Sequence, residues 1–136
     1  MAYNAGEAFP DSIVLSLTTS AAVTKGTFVQ AAKATGAVAP YTGAAAPTGV
    51  VGVALDAAAA SGAEIRVVVK GKATVTADAT GIKAGAFVSA NASSVAEAAT
   101  TNTDIVLGFE VEEAAASGVA LVYLPGTPMN IDTTGA

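Results

Sequence analysis

Cysteine, histidine and tryptophan are all absent from this 136-residue chain, and each absence closes a line of chemistry. Without cysteine there is neither a disulfide framework nor a thiolate metal site. Without histidine the chain lacks the commonest general base, the usual partner of a nucleophilic serine and the commonest zinc ligand. Charge is scarce too: six Lys plus Arg stand against eleven Asp plus Glu, a net charge of −5. Charged residues are 12% of the chain, about half the usual share. The five lysines and Arg66 are scattered, so no basic stripe exists to neutralise phosphates and no nucleic-acid partner is expected. Aromatics are only 5%, too few to build a platform for stacked sugars. The most apolar stretch, residues 44–63, is broken by Pro47, Gly49, Gly52, Asp56 and Ser61. It lacks the ~20 unbroken apolar residues of a spanning helix, so no membrane association is expected. No basic segment leads into an apolar run at the start, and synthesis in a cytoplasm is the expectation. No catalytic, cofactor-binding or metal-binding residues are assigned, and the chain is read as a non-enzyme.

What is present is a succession of short β-forming runs separated by small-residue turns. Residues 12–18, 27–31, 50–55, 64–70, 72–77, 86–90, 104–112 and 119–124 read as strands. The clearest is 64–70, where Ile65, Val67 and Val69 alternate with Glu64, Arg66 and Lys70, the period of a half-buried strand. A single glycine, Gly71, separates it from 72–77, so the two runs read as one strand carried through a bulge or bend. The alanine runs have high helix propensity but are too short to nucleate a helix unaided. They read as loops.

A duplication underlies these runs. From Gly52 the chain reads GVALDAAAASGAEIRVV, and from Gly108 it reads GFEVEEAAASGVALVYL. Aligned without a gap, Gly52 meets Gly108, Asp56 meets Glu112, and Ser61-Gly62 meets Ser117-Gly118. In the same frame Ile65 meets Leu121 and Val67 meets Tyr123. Upstream, Gly26-Thr27-Phe28-Val29 answers Gly85-Ala86-Phe87-Val88. Two copies are too few for a solenoid, so they are expected to close on each other. The fold expected is all-β: a small barrel or sandwich of two repeated β-units with an extended N-terminal arm. Residues 1–22 form the arm and first strand, residues 23–124 the duplicated domain (copies at about 24–69 and 83–124), and residues 125–136 a tail. At this length, folding buries about two-thirds of the unfolded surface, enough for a core of its own.

The repeated pattern of Gly-Val-Ala, an acid, alanines, glycine and alternating valines resembles a family of small tailed-phage head proteins, the capsid decoration or head-stabilising proteins. The resemblance covers roughly residues 23–124 and consists of small and β-branched residues without a signature motif. It implies a protein on the outer surface of the mature head, with the major capsid protein as partner and a homotrimer as assembly. Some family members carry a recombinase label. This chain has no phosphate-binding loop to support it. A tail or fibre component of the virion, or a surface- or carbohydrate-binding β module, is the alternative. The residues before Ala22 have no counterpart in the family core. There Tyr3, Phe9, Ile13 and Leu15 are the candidate capsid-contact residues, on the view that an apolar arm adds a strand to a neighbour's sheet edge. For residues 13–17 a strand of the domain's own barrel is an equal reading. Phe28 and Phe87 are expected in the core. Glu110, Glu112 and Glu113 are the densest acidic group. Glu110 and Glu112 share a strand face in a regular strand and are read as a solvated strand end rather than a calcium site.

Overall fold

The computed structural model describes residues 4–31, 36–42, 50–99 and 106–126, together with the backbone of residues 105 and 129–130. Its regular structure is entirely β: β1 (Ile13–Thr18), β2 (Phe28–Ala31), β3 (Val38–Pro40), β4 (Val50–Ala54), β5 (Glu64–Thr76), β6 (Phe87–Ala90), β7 (Ala96–Ala98), β8 (Ile105–Val106), β9 (Gly108–Glu112), β10 (Val119–Leu124) and β11 (Met129–Asn130). No helix occurs among the described residues. The strands form one curled antiparallel sheet in the order β3-β2-β4-β5-β10-β9-β6-β7, with β1 also paired to β5. β11 and β8 make a separate two-stranded pair.

Strand β5 organises the molecule. Its first half pairs with β1, from Ile13 opposite Lys70 to Thr18 opposite Glu64. Its second half pairs with β10, from Gly71 opposite Leu124 to Thr76 opposite Val119. The strand runs on through Gly71, whose φ of 98° is closed to most side chains. A Cβ there would also press on the Ser12 backbone, which passes close by.

This pairing redraws the duplication. The 71–76 half of β5 does for the second unit what β1 does for the first: each opens its unit and pairs with that unit's last strand. Unit one is therefore β1, β2, β3, β4 and the first half of β5. Unit two is the second half of β5, then β6, β7, β9 and β10. Hydrogen bonds repeat between them. The Val23–Ala58 exchange is answered by Ile82–Ala114, and Tyr41 N–H to Phe28 C=O by Ala99 N–H to Phe87 C=O. The parallel bridge Thr19–Val38 recurs as Ala77–Ala96. Gly52 and Gly108 both lie where a Cβ would strike a carbonyl oxygen of the neighbouring strand, that of Val68 and of Tyr123 respectively.

The gap-free alignment holds only as far as Ala58 and Ala114. Thr19 N–H bonds to Ala63 C=O, whereas Ala77 N–H bonds to Gly118 C=O, so the second copy has lost one residue in the connection. Gly62 (φ 90°) is thus answered by Ser117 (φ 56°), not by Gly118. Val67 answers Val122, and Val68 answers Tyr123. The alanines on either side give the sequence no feature with which to register the missing residue.

Two apolar clusters fill the molecule. The smaller lies within unit one around Val29, Val38, Ile65 and Val67. The larger joins the interior of unit two, including Val75, Val88 and Val122, to Phe28, Val53 and Val68 of unit one. Burying side chains of this size contributes about 1.5–3 kcal/mol each.

Candidate interaction surface

Of the four residues singled out for contact, Tyr3 lies outside the described residues. Phe9 is half-buried, with the Lys72 ammonium 5.2 Å from the centre of its ring. The segment expected to extend as an arm is, from Asn4 to Phe9, bound to its own chain. Gly6 N–H donates to Thr74 C=O at 2.7 Å and Thr74 N–H to Glu7 C=O at 3.0 Å. The Thr74 hydroxyl donates to Asn4 C=O at 2.6 Å and accepts from Glu7 N–H at 2.8 Å. These bonds cover the free edge of the second half of β5. Ile13 and Leu15 sit on β1, which pairs with β5 alone and leaves its other edge open among the described residues. Both side chains are exposed, as is that of Val14.

A second apolar surface went unrecognised in the sequence. Phe87 on β6 stands opposite Phe109 on β9, which stands opposite Tyr123 on β10, so the three lie in a row across one sheet face. The Phe109 and Tyr123 rings are 5.4 Å apart and tilted by 39°. The row continues through Lys72, opposite Tyr123, to Phe9. Phe87, Phe109 and Val111 are exposed. Phe87 is therefore not the core residue its match to the buried Phe28 suggested. The parity of β9 decides which of its residues face outward. Gly108 has room only for a hydrogen on the side facing Tyr123 C=O, and period-two alternation then turns Phe109 outward and Glu110 inward. Alternation of Phe109 and Val111 with an acid was the available signal, but aromatic exposure is the less common outcome.

Glu110 is accordingly no solvated strand end. It is buried, and among the described residues neither carboxylate oxygen has a hydrogen-bond partner. Burial pushes its pKa up to about 8; the Glu112 charge adds to the rise, and the Leu121 amide opposes it. Glu112 and Glu113 are exposed, since the bulge opposite Leu121 and Val122 breaks the shared face that regular alternation implied. Glu113 pairs with Lys83 at 2.8 Å. Asp56 makes a two-pronged ion pair with Arg66 (2.8 and 3.0 Å) and accepts from its backbone N–H at 2.9 Å, which holds the Asp56 carboxyl down at about 2. Among the described residues no group of three or more acids is placed to hold a metal ion, and no helix is long and apolar enough to cross a membrane. The chemistry this arrangement offers is that of contact: an exposed aromatic row on one unit and an open strand edge on the other.

No protein-family profile matches the chain. No curated protein matches it either. Among solved structures it is similar to the head fibre gp8.5 N base of bacteriophage phi29, with a TM-score of 0.62 and 14% sequence identity. That likeness covers 89% of this chain and 98% of the other, so the two share a fold over nearly their whole length.

Proposed function

We propose that this protein is a structural component of a tailed-phage virion, a decoration protein that binds the outer surface of the mature head and stabilises it. The observation that carries the reading is the fold shared with the base of a phage head fibre over 89% of the chain. Two further features support it. Low charge and an exposed aromatic row suit a chain whose surface ends against a partner. The repeated pattern resembles the decoration family. The major capsid protein is the proposed partner and a homotrimer the proposed assembly; no enzymatic activity is proposed.

The base of a head fibre is a second reading, which the same structural likeness favours directly. Incubating purified protein with heads that lack it, and separately with tails, then sedimenting both, tests the shared claim. Decoration predicts saturable uptake by heads alone, at copy numbers that match the capsid lattice. A fibre base predicts uptake by heads as well, at the positions from which fibres project, so imaging of the loaded heads separates the two. Uptake by tails alone, or by neither particle, would reject both.

A further inference from the structure

The two units are alike in backbone but unlike in exposure, and the apolar differences fall on two surfaces. On the outer face of unit one, Phe28, Val53 and Leu55 are 0%, 0% and 4% exposed. Their counterparts in unit two, Phe87, Phe109 and Val111, are 53%, 41% and 39% exposed. On the inner face the contrast reverses. Ala73 in unit two is fully buried, whereas its counterpart Leu15 in unit one is 45% exposed. Leu107 and Leu124 are buried, whereas their counterparts Val51 and Val69 are only half-buried.

The cause is the way the units sit on each other. The outer face of unit one packs on the inner face of unit two, so that Phe28 shares one core with Ala73, Leu107 and Leu124. Two backbone hydrogen bonds clamp this contact: Thr76 N–H to Gly26 C=O at 2.9 Å, and Phe28 N–H to Ser94 C=O at 2.8 Å. Front-to-back packing uses one face of each unit. It leaves over the outer face of unit two and, beside the small buried cluster of unit one, the inner-face rim at Leu15, Val51 and Val69.

The groups that form the clamp are duplicated on those unused faces. Thr18 answers Thr76. Gly36 answers Ser94, two residues ahead of the matched bridge residues Val38 and Ala96, and the two share a left-handed backbone, with φ of 71° and 67°. Thr18 and Gly36, with Leu17 and Thr19, line an open cleft of about 710 Å³. On the other unused face, Gly85 and Phe87 answer Gly26 and Phe28.

We propose that a second copy of this chain fills this cleft, head to tail. Its β6 enters as β2 enters unit two within the chain, and Phe87 comes to rest over Val51 and Val69. Phe87 N–H donates to Gly36 C=O, and Thr18 N–H donates to Gly85 C=O. The exposed β1 residues Ile13 and Leu15 lie beside the incoming face. Such a contact is heterologous: each copy gives one surface and receives with another, and repetition closes a ring or extends a filament. The occupant is a second copy because the chain already makes this interface once with itself. The inference does not rest on any position in the virion.

The test uses the full chain in solution, without phage particles. Phe87→Glu removes the inserting surface and Leu15→Glu the receiving one. Both side chains are exposed, and circular dichroism checks that each variant folds; Phe109→Glu and Ile13→Glu replace either one that does not. Analytical ultracentrifugation is expected to show the wild type as an assembly of two or more 13.0 kDa chains and each variant alone as a monomer. Mixing the two variants is expected to restore association, but only as a 1:1 pair, because each retains one intact surface. A monomeric wild type, variants that assemble as the wild type does, or a mixture that stays monomeric would overturn the proposal.

Discussion

Glu110 gives the stability of this fold a pH dependence that the rest of the chain does not obscure. The carboxyl is 1% exposed and its pKa is raised from 4.5 to about 8 by burial. Between those values the folded chain holds a proton that the unfolded chain releases, so stability falls as pH rises. The contribution is complete below about pH 4.5, declines by up to about 1.4 kcal/mol per pH unit, and is gone above about pH 8. The whole loss is about 3–5 kcal/mol, a large part of the 5–15 kcal/mol that holds a typical domain together. With no histidine in the chain, no other side chain has its ordinary pKa between about 5 and 8, and among the remaining groups only the α-amino group does. Urea unfolding at pH 5, 6, 7, 8 and 9, at one protein concentration, reads the slope directly. Glu110→Gln is expected to flatten it. Glu110→Leu is expected to flatten it and to exceed the wild type at pH 8, since the position is apolar in its setting and Ala54 occupies its counterpart. A wild type with constant stability across the series, or variants that keep its slope, would refute the burial argument.

Other positions give sharper local tests. Ser117 stands with φ of 56° where the first unit has Gly62, so Ser117→Gly is expected to raise stability by about 0.5–1 kcal/mol, seen as a higher urea midpoint at unchanged slope. Gly52→Ala and Gly108→Ala each force a Cβ onto a carbonyl oxygen across the sheet. Each is expected to cost more than about 3 kcal/mol or to abolish folding, measured by the same unfolding curves. The Asp56–Arg66 pair lowers the Asp56 pKa to about 2, so its contribution is present above about pH 4 and lost as pH falls through 2. Because Arg66 is exposed and Asp56 is only partly buried, Asp56→Asn is expected to cost only about 0.5–1 kcal/mol at pH 7.

The fold class was legible because period-two alternation and turn glycines are local signals. Residues 64–77 read as one strand bent at Gly71, and β5 is that strand. The three-residue strands β3 and β7 and the two-residue β11 carry too few side chains to show any period, and the sequence did not reveal them. Matching Phe28 to Phe87 was correct in the backbone and misleading for burial. Sequence likeness between the units says nothing about which face of each is used when they pack front to back. Glu110 escaped for a related reason: its inward turn is imposed by the fit of Gly108 against Tyr123, a contact between strands that no local pattern encodes. Placing β1 with the arm hid the true unit boundary, because the second unit borrows half of β5 instead of having a first strand of its own.

The claim that this chain covers the outside of a phage head is tested most directly by cryo-electron microscopy of heads saturated with the purified protein. Added density is expected on the outer surface at repeating capsid positions, into which this fold docks. Bare heads at saturating protein, or density confined to the tail, would contradict it.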